Sequence, residues 1–172
     1  ISARRANQLA VDDINARGGI KSKGGAKLKL LLADTEAKEE AARSEAERVI
    51  NEGAVCLVGP FLSGNAMTIA TLCEQRGIPF MMDVAVLDDI TRRGFKFTFR
   101  IFPYITKSAE AMLFYMAQIM KERNISKIRG VVTNTEDLFG RHQGPTFINY
   151  LKKKKFPIEV LGHIEYPNGI QD

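Results

Sequence analysis

Three loops hold the residues of this 172-residue chain that could do chemistry. The first is Gly59-Pro60-Phe61-Leu62-Ser63-Gly64-Asn65. Its glycine and proline turn the chain sharply out of an apolar run. Ser63 is a good helix N-cap, and Gly64 lets a ligand approach the backbone closely. Free N–H groups at a helix N-terminus favour an anion such as a carboxylate. Ser63 could instead simply cap its own helix. The two roles are compatible, because the hydroxyl can serve one while the N–H groups serve the other. The other two loops run from Asp83 to Asp88 and from Asn134 to Gly140.

Most catalytic chemistries find no support. A hydrolase elbow needs Gly-x-Ser-x-Gly, and the residues around Ser63 do not spell it. His142 and His163 are the two histidines, and neither lies near a patterned partner. No glycine-rich phosphate or dinucleotide motif occurs, so no cofactor is implied. No cluster of His, Cys, Asp and Glu has metal-ligand spacing. Asp12-Asp13 and Glu39-Glu40 are adjacent on helices, where neighbours do not face each other, so they read as solvated faces.

The elements that must position these loops follow from periodicity. Ala6, Leu9, Ala10 and Ile14 recur at helical spacing, so Ile1 to Ile14 reads as helix, stopped by Gly18-Gly19. Lys27 to Ala33 reads as a buried strand with Leu28 to Leu32 as its core. A helix from about Lys38 to Glu52 turns Ala42, Ala46, Val49 and Ile50 to one face. Ala54 to Val58 is the next strand. Ser63 opens a helix with Ala66, Ile69, Ala70 and Cys73 facing inward, ended by Gly77, and Ile78 to Met82 is a short strand. A looser stretch covers Asp83 to Gly94. Phe95, Phe97 and Phe99 alternate with polar residues, as in a half-buried strand. After Phe102-Pro103 come a helix with Met112, Tyr115, Met116 and Ile119, a strand from Ile128 to Thr133, a helix near Pro145 to Lys154 and a strand from Ile158 to Tyr166. Alternation of this kind predicts an α/β fold of parallel sheets covered by helices. Ligands then sit beyond the carboxyl ends of the strands, where the three loops lie.

Composition agrees with a folded chain: 45% apolar and 26% charged residues argue against disorder. The apolar run from Ala54 to Leu62 is too short for a membrane span of about 20 residues. The net charge of +5 is small, and Lys152 to Lys155 supply four cations at a helix end. Aromatic and basic residues do not interleave, so no nucleic-acid partner is expected. Cys56 in a strand and Cys73 on a helical stripe read as buried thiols rather than a disulfide.

Several segments together resemble the periplasmic binding proteins of the branched-chain amino acid transporter type, the solute receptors of ABC importers. They are Gln8 to Ile20 with its DDINARGGI ending, Ala46 to Ile50, Val58-Gly-Pro-Phe-Leu-Ser-Gly64, Gly77-Ile-Pro79, Leu87 to Thr91, Phe99-Arg100, Phe139-Gly140 and Tyr166 to Asp172. The resemblance implies a two-lobed type I fold closing on a small solute, with no catalysis and a membrane permease as partner. It implies a periplasmic protein or an extracellular lipoprotein. It places residues 1–102 in the N-terminal lobe, lacking a first strand, and residues 103–172 in an incomplete C-terminal lobe. The chain then reads as a fragment.

The same resemblance assigns the ligand carboxylate to Ser63, Gly64 and Asn65. It assigns the amino acid head group to Val84, Ala85 and Val86 through a backbone carbonyl and a hydroxyl. Phe139 would pack on the ligand. Leu62 and Asp83 are secondary candidates. Two positions depart from the family pattern: Val86 stands where a hydroxyl is expected, and Phe139 where Tyr is usual. An ammonium left short of partners costs on the order of several kcal/mol. The expected ligand is therefore an aromatic or aliphatic acid in preference to a branched-chain amino acid, with Asp83 as a candidate compensating charge. A ligand-sensing domain of a signalling receptor or regulator is the alternative, since the same fold serves both.

Overall fold

The computed structural model describes residues 2–168. In chain order the elements are α1 (Ser2–Ala16), a 3-10 turn (Lys21–Lys23), α2 (Glu39–Asn51), β1 (Leu57–Val58), α3 (Ser63–Arg76), β2 (Phe80–Met82), α4 (Asp88–Arg92), β3 (Thr98–Arg100), α5 (Ile105–Glu122), β4 (Ile128–Thr135), α6 (Leu138–Lys153) and β5 (Ile158–Tyr166). The described strands form two parallel sheets, β1-β2-β3 and β4-β5, as the alternating pattern requires.

The first sheet is covered by α3, and α2 packs on α3. Ala42, Ala46 and Val49 on α2 meet Ala66, Ile69, Ala70 and Cys73 on α3. Small side chains at helical spacing let these backbones come close, so the sheet side chains Phe80 and Met82 are almost wholly buried. Gly77 ends α3 with φ 66°, and Ile78 N–H returns to the Cys73 carbonyl at 2.9 Å. A left-handed residue here closes the helix end, and glycine takes that conformation without strain.

Several sequence expectations need correction. Lys27 to Ala33 is not a strand, because no described segment offers it a ladder. Side chains hold it instead. The Asn15 amide brackets Leu28, donating to its carbonyl and accepting from its N–H, both at 2.8 Å. Arg48 Nη2 donates to the Leu32 carbonyl at 2.8 Å. Within Ala54 to Val58 only Leu57 and Val58 pair, and Val55 is 81% exposed. Cys56 is accordingly exposed rather than buried, whereas Cys73 is fully buried, and both thiols are free. Burial pushes the Cys73 thiol up to about 12.

The phenylalanine alternation also resolves differently. The strand begins at Thr98, which is buried, and Phe99 points outward. The loose stretch contains α4, a single short helix. On α5 the buried face is Ile105, Ala109, Leu113 and Met120, while Met112, Tyr115 and Ile119 are exposed. Both stripes of α5 are apolar, and periodicity alone does not say which one meets a neighbour. Likewise the α1 stripe is open, with Leu9 70% exposed. Finally α6 begins at Leu138, with Pro145 inside it. Proline has no N–H, so the Arg141 carbonyl loses its helical donor, but seven residues of helix already precede it.

Candidate functional site

The first loop leaves β1 and the second leaves the neighbouring β2. Gly59 N–H reaches the Met81 carbonyl at 3.0 Å, which continues the ladder to the mouth of both loops. The third loop leads from β4 into α6. Its Leu138 and Phe139 pack against the apolar cluster of the first sheet, which contains Ala85 and Leu87 and is also touched by Val86. The second and third loops thus both pack on the core of the first sheet.

Ser63 does not cap α3. Leu62 is the N-cap, with ψ 131° and no side-chain bond, and Ser63 occupies the first helical position. The first turn closes with Ala66 N–H on the Leu62 carbonyl at 3.0 Å. The N–H groups of Ser63, Gly64 and Asn65 find no acceptor among the described residues, and neither does the Ser63 hydroxyl. Three unused donors and a hydroxyl on a residue only 4% exposed form a small donor-rich turn, with the Glu39 carboxylate close by at Gly64.

The neighbouring candidates divide. Asn65 is 2% exposed and gives its side-chain amide to Thr35 Oγ1 at 2.8 Å, so its side chain ties α3 to the preceding loop and only its backbone is available. At Gly64, an added Cβ would come within 2.5 Å of Glu39 Oε1. That side of the glycine accommodates a carboxylate of this chain rather than a ligand. Ala85 is core, 1% exposed. Val84 and Val86 are half-buried, and the Val86 carbonyl accepts from Ile105 N–H at 3.1 Å. That carbonyl is therefore committed to α5. Phe139 lies in the first turn of α6 and is half-buried.

Asp83 stands apart from these. Its Oδ1 is shut off from solvent with no hydrogen-bond partner among the described residues. Asp88 also has an unpartnered Oδ1, but its Oδ2 accepts from Thr106 at 2.6 Å and pairs with Arg92 at 3.0 Å.

Sequence reasoning missed Asp137. It is the N-cap of α6, and its Oδ1 accepts from Gly140 N–H at 2.7 Å and from Thr135 Oγ1 at 3.0 Å. Desolvation pushes its carboxyl up, but the Gly140, Asn168 and Thr135 donors outweigh it and hold the group below the usual carboxylate range. An acceptor side chain just before Leu138 was the available signal. Glu39 and Thr35 gave none, because they reach α3 across more than 20 residues.

A hollow of about 270 Å³ lies elsewhere, between α5, β4 and α6, lined by Ile105, Ala109, Met112, Val131 and Phe147 among others. It contains none of the candidate residues. Among the described residues no group of His, Cys, Asp or Glu is placed to hold a metal ion, and no helix is long and apolar enough to cross a membrane.

The sequence profile of the family described as "Periplasmic binding protein" matches residues 1–172. The chain belongs to that family. Its fold agrees with the assignment. A substrate-binding protein of an ABC transporter from Desulfitobacterium hafniense, in complex with leucine, superposes with TM-score 0.76 at 26% identity, over 92% of this chain and 44% of its own. The branched-chain amino acid transporter protein of Streptococcus pneumoniae, in complex with isoleucine, gives TM-score 0.78 at 21% identity over 96% of this chain and 44% of its own, a likeness of fold. A Leu/Ile/Val-binding protein of Rhizobium johnstonii is 28% identical over 140 residues, 81% of this chain and 36% of that protein. The chain thus spans less than half the length of these periplasmic binding proteins. Of the motif stretch from Tyr166 to Asp172, residues 169–172 lie outside the described residues.

Proposed function

We propose that this chain is part of an extracytoplasmic solute receptor of an ABC importer, which captures a small carboxylate with an apolar body and delivers it to a membrane permease. Residues 1–102 would belong to one lobe and 103–172 to the next, with closure of the lobes trapping the solute. The observation that carries this reading is the turn at Ser63. Its three backbone donors and one hydroxyl are idle, on a helix N-terminus beside the carboxyl ends of two parallel strands. Such a turn stabilises a carboxylate.

The body of the ligand meets Val86 and Phe139, both apolar. On their own these side chains favour an aromatic or aliphatic acid, since neither offers a hydroxyl to an ammonium. The leucine and isoleucine bound by the relatives favour an amino acid. Either ligand uses Ser63 in the same way.

Calorimetric titration of the full-length protein with both classes tests the reading. Binding of a carboxylate solute that weakens at least about ten-fold in Ser63→Ala supports it. If no carboxylate of either class binds, or if the Ser63 substitution leaves affinity untouched, the proposed anchor is wrong.

A further inference from the structure

Glu39 and Glu40 stand side by side in the first turn of α2, where an acidic residue suits the dipole of its own helix. The fold sends Glu39 elsewhere. Its Oε1 lies 2.5 Å from where a Cβ on Gly64 would stand, with its Cδ at 3.3 Å and its Cγ at 3.6 Å. The approach is held from the backbone side. Asn65 gives its amide to Thr35 Oγ1 at 2.8 Å, and the Thr35 carbonyl takes the Lys38 N–H at 2.8 Å. Ala42 on α2 and Ala66 on α3 share one core, so residue 39 is set beside the opening turn of α3. The nearby cations are engaged by other acids, Lys38 by Glu36 at 3.1 Å and Arg43 by Glu47 at 3.3 Å. Among the described residues the Glu39 carboxylate itself has no hydrogen bond and no ion pair. A negative charge of this chain therefore stands, without a counter-charge, against the turn whose three N–H groups and hydroxyl are idle.

We propose that Glu39 sets the charge limit of the solute: the Ser63 turn admits one carboxylate, and Glu39 turns away a solute with a second negative charge near the first. The proposal rests on the carboxylate anchor at Ser63 and adds a determinant of what that anchor accepts. The first carboxylate is stabilised by donors that touch it at hydrogen-bond distance. Glu39 acts through space, so it disfavours every negative charge near the turn. The donors are used by the first carboxylate. A second one on the same carbon meets the repulsion with no matching set of N–H groups. Glu39 is thus a specificity residue and not a further anchor. Its side chain is exposed, so water and salt screen the repulsion and the expected factor is moderate.

Isothermal titration of the full-length protein at low salt and about pH 8, where both carboxyls of a malonate are ionised, tests this. The probes are matched pairs: 4-methylpentanoate against isobutylmalonate, 3-phenylpropanoate against benzylmalonate, and L-leucine against α-carboxyleucine. Each second member adds one carboxylate to the carbon that bears the first. In every pair that binds, the first member is expected to be at least about ten-fold tighter. Glu39→Gln keeps the shape and removes the charge. It should narrow that ratio at least about three-fold by tightening the dicarboxylate, and added salt should narrow it in the parent but not in the variant. Glu39→Ser repeats the test if the first variant fails to fold. A residue that only supported α3 would weaken both members together and leave the ratio fixed. That result overturns the proposal, as does a dicarboxylate that gains nothing in Glu39→Gln or binds the parent as tightly as its partner. Probes that weaken in Ser63→Ala, with the ratio unmoved by Glu39 variants, would remove this proposal and leave the receptor reading intact. No binding by any probe would remove both.

Discussion

Thr106, in the first turn of α5, donates its hydroxyl to Asp88 Oδ2 at 2.6 Å. Asp88 opens α4 in the first sheet's half of the chain, so the bond crosses the stretch in which one sheet gives way to the next. It stands beside a second link, from Ile105 N–H to the Val86 carbonyl at 3.1 Å. Asp88 is 8% exposed, and its other oxygen has no partner, so it depends on what remains.

Thr106→Val removes the hydroxyl and keeps the shape. It leaves Asp88 with Arg92 alone, at 3.0 Å. A loss of about 1–2 kcal/mol is expected in urea unfolding, from a buried acceptor deprived of a donor. Thr106→Ser should recover most of it. Equal stability of the parent and the valine variant would show that the bond is not formed in solution.

Ser63→Ala separates capping from binding. A capping serine costs about 1 kcal/mol when truncated. Ser63 caps nothing, so the substitution should move stability by less than about 0.5 kcal/mol, as for residues without a structural partner. Thermal unfolding of the ligand-free protein measures this directly. A drop of the full capping size would place the hydroxyl on the helix after all.

Asp137→Ala should cost about 1 kcal/mol at neutral pH through loss of the α6 cap. The folded chain holds this carboxyl below its ordinary range. Such a group contributes stability above its unfolded value, and the contribution fades as pH falls toward the folded value. The gap between parent and variant should therefore be widest near pH 7 and narrow in acid. Melting curves across the acidic range check it, and a gap that widens in acid would contradict the assignment.

Gly144 admits no side chain. An added Cβ would collide with the Asn134 amide oxygen and with His163 Nε2, which are themselves hydrogen-bonded. Asn134 is 4% exposed and Gly144 is buried, so neither strand nor helix has room to yield. Gly144→Ala is expected to destabilise by about 2 kcal/mol or more, read from the denaturation midpoint. A neutral effect would mean that α6 stands further from β4 and β5 than described.

The parts of the fold that could be read in advance were those where one segment suffices. Ala42, Ala46 and Val49 show a buried helical face, and Gly77 shows a helix end, from their own spacing and type. What could not be read depended on a partner. Leu28 to Leu32 has the composition of a buried strand, but strand formation needs a ladder, and here the Asn15 side chain takes both backbone groups of Leu28. The apolar neighbours of Cys56 suggest burial, yet it lies just before the two-residue outer strand of a narrow sheet and is exposed. The site followed the same rule. The turn at Ser63 was visible in sequence, whereas the commitment of Asn65 to Thr35 and the approach of Glu39 to Gly64 are long-range facts.

The bond from Ile105 N–H to the Val86 carbonyl ties the loop after β2 to α5. The segment that would sense a bound molecule is also the peg on which the first helix of the following sheet hangs. A helix pinned at one end to such a loop is a lever with its fulcrum beside the proposed site. Under the proposed function, solute preference and resting angle would be linked. A substitution at 84–86 chosen to admit a new solute would also shift how readily the halves come together, so affinity should be dissected there as two linked equilibria.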